Sequence, residues 1–137
     1  MSEVDDIQLV ECFPGVADYR RLREATGLSP KSEAAAERGL AETTYGVSLL
    51  REGGVVGMGR IVGDGGCFHF VVDIAVMPAL QGRGLGKRIM DALDAWLRAN
   101  AEPTAHVSLF ADGDAKHLYA RYGFAQSDKS VGMFYRV

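Results

Sequence analysis

The segment Gln81-Gly82-Arg83-Gly84-Leu85-Gly86-Lys87 constrains this chain more than any other. Glycines at three alternate positions suit neither a strand nor a helix interior. They stand directly before Leu85, Ile89, Ala92, Leu93, Trp96 and Leu97, whose i, i+4, i+7, i+8 spacing marks the apolar stripe of a core-facing helix. Upstream, Cys67 to Met77 reads as a strand that Pro78 stops. The loop therefore joins a strand end to a helix N-terminus, where unpaired N–H groups and the helix dipole converge. Without side chains at 82, 84 and 86, successive amides can wrap a pyrophosphate, with Arg83, Lys87 and Arg88 adding charge at the rim. A P-loop is excluded because Arg88 stands where the magnesium-binding hydroxyl belongs. The dinucleotide fingerprint GxGxxG fails because the third glycine arrives one residue early and the preceding strands read as antiparallel.

Those strands are Tyr45 to Arg51, Val55 to Val62 and Cys67 to Met77, separated by turns at Glu52-Gly53-Gly54 and Gly63 to Gly66. Before them come a strand at Ile7 to Cys12 and a helix with Val16, Tyr19 and Leu22 on one side, closed near Gly27. A second helix is expected to open at Ser29-Pro30, as N-cap and first helical residue, and to run to about Ala41. After the long helix, Ala105 to Ala111 reads as a strand. Ala115, Leu118, Tyr119 and Tyr122 share a helix face that Gly123 ends, and strands from Phe124 and over Val131 to Val137 close the sheet. No repeat or linker interrupts the 137 residues, so one α/β domain over residues 1–137 is expected.

A net charge of −3 with scattered basic residues provides no field for nucleic-acid phosphates. No stretch approaches the ~20 apolar residues of a membrane span, and Met1 to Val10 lacks the pattern of a secretory leader; a cytoplasmic protein is expected. Cys12 and Cys67 have neither CxxC spacing nor a His/Cys cluster, so they read as packing residues and no metal is required.

Gln81-Gly82-Arg83-Gly84-Leu85-Gly86 satisfies the [QR]xxGx[GA] motif of the GNAT superfamily of N-acetyltransferases. Asp73-Ile74-Ala75-Val76-Met77-Pro78 resembles its lead-in strand, and Leu118-Tyr119-Ala120-Arg121-Tyr122-Gly123-Phe124 is similar to its LYxxxGF segment. The resemblance covers roughly residues 44 to 137; residues 1 to 43 match only in kind. It implies a mixed, mostly antiparallel sheet of six or seven strands with about four helices and a splayed, V-shaped opening. It also implies acetyl-CoA as donor and a primary amine as acceptor, with a small molecule or amino acid favoured. Homodimers occur in the family. Carried over to this chain, the resemblance sets backbone groups of Ile74, Ala75 and Val76 against pantetheine, with an N–H near Val76 facing the developing oxyanion. It puts Gln81, Gly82, Arg83, Gly84, Leu85, Gly86 and Lys87 around the pyrophosphate. Asp112 departs from the asparagine that many relatives carry, and a carboxylate cannot donate as an amide does.

Tyr119 matches the family's tyrosine that protonates the departing thiolate, although by periodicity alone it is a core residue. An acceptor amine with a pKa near ~10.4 is a free base in only about one molecule in a few thousand at neutral pH. Asp73 is the candidate to take its proton, to anchor the ammonium, or simply to make a structural hydrogen bond. His69 falls on the face of Asp73 by period two, where a core histidine competes with a role in the acceptor pocket. His106 and His117 have no evident partner, and Arg20, Arg21 and Arg23 read as a solvated helix face. Two other readings share the fold: a coenzyme A-binding sensor without turnover, and an acetyltransferase of protein amines.

Overall fold

Glycine-bounded runs of β-branched and aromatic residues build the sheet. In the computed structural model, which describes residues 6–137, these runs form β2 (Tyr45–Arg51), β3 (Gly54–Gly63) and β4 (Phe68–Val76), an antiparallel meander. The β3–β4 turn is set by Asp64, whose carboxylate accepts from the backbone N–H groups of Gly66, Cys67 and Phe68. These bonds hold its carboxyl below the usual carboxylate range. β1 (Ile7–Val10) adds antiparallel to β2. β5 (His106–Ser108) adds parallel to β4, so the sheet order is β1-β2-β3-β4-β5. The first five residues of the acidic N-terminal stretch lie outside the described residues.

Each face of the sheet carries its own helices. On one face lies α3 (Leu85–Asn100), with Leu85, Ile89, Met90, Leu93 and Leu97 buried against Val47, Leu49, Ile61 and Val71. It sits so close that a Cβ on Gly59 would come within 2.4 Å of Ile89 Cγ2. On the other face α1 (Val16–Ala25) and α2 (Glu33–Leu40) cover Val55, Met58 and Ala75 with Tyr19, Leu22 and Ala36. α1 ends as its sequence suggests: Gly27 takes φ +80°, and the Leu28 N–H reaches back to the Arg23 carbonyl.

Several expectations are corrected. Among the described residues the sheet has five strands, not six or seven. β5 is three residues long, and no strand forms from Phe124 to Val137. α2 begins after Ser32, whose hydroxyl accepts from the Ala35 N–H at 3.0 Å, because Ser29 is already engaged by Arg23. Cys12 and Cys67 are exposed rather than packed. A 3₁₀ turn at Pro78–Leu80, absent from the sequence reading, buries Leu80 as β4 enters the loop. No helix among the described residues is long and apolar enough to cross a membrane.

Candidate active site

β4 and β5 pair only over Phe68 to Phe70 and His106 to Ser108, so the rest of β4, from Val71 to Val76, has no neighbour on that side. This is the V-shaped opening. Ile74, Ala75 and Val76 lie along it, followed by the glycine-rich loop, so the expected strand and loop are brought together. Gly82 and Gly84 adopt φ +79° and +80°, with open space where each Cβ would stand. The left-handed backbone is what demands glycine there. Gly84 is the N-cap of α3 and provides no side-chain cap, which leaves the first-turn amides of α3 for an incoming anion. The Gln81 amide donates to the Val76 carbonyl at 3.0 Å and fixes the loop to the strand end.

The charges at this loop are arranged differently from the sequence reading. Arg88 turns away and donates to the Ile7 carbonyl at 3.1 Å, tying α3 to β1. Lys87 stays on the exposed first turn, 3.1 Å from Asp91. Asp91 also accepts from the Tyr122 hydroxyl at 2.6 Å, and the same hydroxyl, with its one proton, lies 3.2 Å from the Lys87 carbonyl. These bonds latch the segment after α4 (Ala115–Ala120) onto α3. They hold the Asp91 carboxyl below its ordinary range, with the Tyr122 hydrogen bond as the largest cause. Burial foremost, then Asp91, raises the Tyr122 phenol. Sequence periodicity gave Tyr122 only a packing role.

α4 lies beside the loop, with the Gly86 Cβ position 3.6 Å from Leu118 Cδ2. Tyr119, on the same helix, is half-buried and packs edge-on to Phe124 at 6.4 Å. Its phenol is raised above the usual tyrosine value, first by burial and then by the negative charge of Asp112.

Asp73 differs most from its expected setting. Met58 pairs with Ala75 but Arg60 with Val72, so β4 carries one extra residue, and Asp73 takes φ +59° in this bulge. The bulge breaks period two. Val71 faces α3, whereas Asp73 joins Ala75 on the α1 side. Its carboxylate accepts from Arg23 at 2.5 Å, Tyr19 at 3.1 Å and Arg60 at 2.9 Å, with the side chain 4% exposed. The structural hydrogen bond is thus present, and both oxygens are occupied. Arg23 belongs to this buried cluster and not to a solvated face. Sequence reasoning missed Arg23, Arg60 and Tyr19, since nothing in their spacing announces a convergence on residue 73.

His69 does not share the face of Asp73. It is buried on the α3 side, edge-on to Trp96, which stacks on Tyr45. A cleft of about 360 Å³ lies at the far side of the sheet, between the β1–α1 connection and the start of β2. Among the described residues no group of three or more His, Cys, Asp or Glu could hold a metal ion.

The family model described as an acetyltransferase (GNAT) domain matches residues 42–126. This chain belongs to the GNAT acetyltransferase family. Its likeness to a crystal structure of a probable acetyltransferase of unknown function from meticillin-resistant Staphylococcus aureus extends over nearly the whole length. The two are 36% identical with a TM-score of 0.90, covering 96% of this chain and 99% of that one. Curated relatives include an uncharacterized N-acetyltransferase of Porphyra purpurea, 35% identical over 82 residues. Another is the chloroplastic serotonin N-acetyltransferase 2 of rice, 36% identical over 83 residues. Each match takes in 59% of this chain but only 46% and 40% of those proteins, so the chain spans less than half the length of either. A predicted acetyltransferase from Clostridium acetobutylicum with acetyl-CoA shares the fold, at a TM-score of 0.67 and 14% identity.

Proposed function

We propose that this chain transfers an acetyl group from acetyl-CoA to a primary amine, a small molecule or amino acid, by direct attack. The observation that carries the reading is the glycine loop at the uncapped N-terminus of α3, set beside the splay of β4 from β5. The α3 amides and Lys87 receive the pyrophosphate, and pantetheine follows Ile74, Ala75 and Val76 like an added strand. The amine nitrogen attacks the thioester carbonyl, whose oxygen gathers negative charge facing an N–H near Val76. As the C–N bond forms and the C–S bond breaks, Tyr119 gives its phenolic proton to the sulfur and is reprotonated from solvent. Burial and Asp112 raise the phenol, so its proton is present through and above neutral pH.

Asp73 is not assigned the proton transfer in this reading. Its oxygens accept from Arg23, Arg60 and Tyr19 and its side chain is 4% exposed, so an acceptor amine would have to open this buried cluster to reach it. We assign it to holding α1 and β3 against the bulge; the ammonium loses one proton to water in the open splay before attack, and the nitrogen loses a second to water once the C–N bond has formed.

The test is release of coenzyme A thiol from acetyl-CoA against amino acids, polyamines, arylalkylamines, amino sugars and peptides. Amine-dependent release from small amines is expected. Binding of acetyl-CoA with no turnover on any amine would move the reading to a sensor, and release on peptides alone to a protein acetyltransferase.

A further inference from the structure

Helices cover only part of the second sheet face. α1 and α2 pack over Val55 and Met58 of β3 and Ala75 near the end of β4. The start of β4 has less cover: Phe68 is 61% exposed, Phe70 is half-buried, and Phe110, two residues past β5, is 60% exposed. His69 and Val71 face α3, so by period two Phe68 and Phe70 point to the opposite side. Val107 and Leu109 likewise pack on the α3-side cluster, which turns Ser108 and Phe110 to the side of Phe70. The rings of Phe70 and Phe110 meet edge to face, with 5.5 Å between centroids and 90° between planes. The Gly132 backbone backs Phe110 so closely that a Cβ there would stand 2.4 Å from its Cε1 atom. Phe110 is thus held in place by its neighbours while most of its surface stays open, as a contact site requires.

The position of this pair gives it a use. Phe70 pairs with Ser108 in the last rung that joins β4 to β5, so both rings stand where the strands part. The cofactor groups lie on the other side: α3 presents its first-turn amides, and Tyr119 packs on the α3-side cluster. Donor and acid therefore approach the splay from the α3 face. An amine that meets the thioester there comes from the face of Phe70 and Phe110.

We infer that Phe70 and Phe110 select an acceptor amine carrying an aromatic ring a short chain away from its nitrogen, an arylalkylamine. The inference rests on the acetyl-transfer reading above and narrows it to a substrate class. Two rings at right angles form a corner in which a third planar ring stacks on one and meets the edge of the other, the two arrangements that aromatic pairs prefer. The ring bound in this corner would set the nitrogen at the apex of the opening, where the thioester lies. A bare alkylamine gains the same chemistry but not the same placement.

The experiment compares kcat/KM for phenethylamine, cyclohexylethylamine and butylamine at saturating acetyl-CoA, in the full-length wild type, Phe110→Ala and Phe110→Trp. The wild type should prefer phenethylamine to butylamine by about 10-fold or more. Phe110→Ala should bring that ratio close to one and Phe110→Trp should keep it, with acetyl-CoA affinity the same in all three. The exposure of Phe110 lets it be truncated without opening the core. Butylamine or cyclohexylethylamine turned over as efficiently as phenethylamine overturns the inference and leaves the acetyltransferase reading standing. A preference that survives Phe110→Ala does the same. Rejection of all three amines while other amines are acetylated also overturns the inference alone, whereas turnover of no amine of any class overturns the reading beneath it as well.

Discussion

A carboxylate that is 4% exposed must be repaid in hydrogen bonds and opposite charge, and Asp73 has both from Arg23, Arg60 and Tyr19. Two guanidinium groups share this one carboxylate, so removing its charge leaves cations buried without compensation. Asp73→Asn should therefore cost about 3–5 kcal/mol in stability, measured by denaturant unfolding. A variant with unaltered stability but no turnover would restore the base assignment. Tyr119 makes the complementary case. Only the neutral phenol donates a proton, and burial with Asp112 raises its pKa, so acid function persists through neutral pH and fails only above the ordinary tyrosine value of ~10. Tyr119→Phe should lower kcat by about 10²-fold or more with acetyl-CoA affinity unchanged; equal activity would sink the assignment. The helix that carries Tyr119 was legible because Ala115, Leu118 and Tyr119 share one apolar face. The partners of Asp73 were not, since they come from residues 13 and 50 or more positions away and meet only through a bulge that no glycine announces.

At the scale of elements, α3 carries most of the specification. Its apolar stripe, the proline before it and the glycines at its start all agree, which is why helix and loop were readable together. The onset of α2 was misplaced at Ser29: Arg23 donates to both the carbonyl and the hydroxyl of Ser29, and Ser32 caps the helix instead. α3 approaches the sheet where β3 has Gly59, and the added methyl of Gly59→Ala would meet Ile89 and Leu93. Overpacking of this kind costs about 1–3 kcal/mol. The variant should lose that much stability and, because α3 presents the phosphate amides, also weaken acetyl-CoA binding. Wild-type values for both would mean that α3 can shift freely on the sheet.

Across the whole molecule the two faces of the sheet are unequal. The α3 side buries an apolar cluster that runs through β2, β3 and β4, whereas the α1–α2 side holds a smaller cluster built around the Asp73 ion group. The antiparallel meander of β2, β3 and β4 was legible from glycine-punctuated β-rich runs. The number of strands was not, because residues 131–137 alternate like a strand in sequence but pair with no strand of the sheet. Local opening follows the amount of apolar burial, so the layers should differ in hydrogen exchange. Amides of α3 and of β3 are expected to exchange at the slowest, global rate, and those of α1 and α2 earlier. Saturating acetyl-CoA should slow exchange in residues 82–88 most, because binding removes the openings that free the α3 amides. Uniform protection of both layers without ligand would mean that the ion group of Asp73 binds α1 as firmly as the larger apolar cluster binds α3. Slowing confined to α1 and α2 on addition of acetyl-CoA would place the cofactor away from the glycine loop.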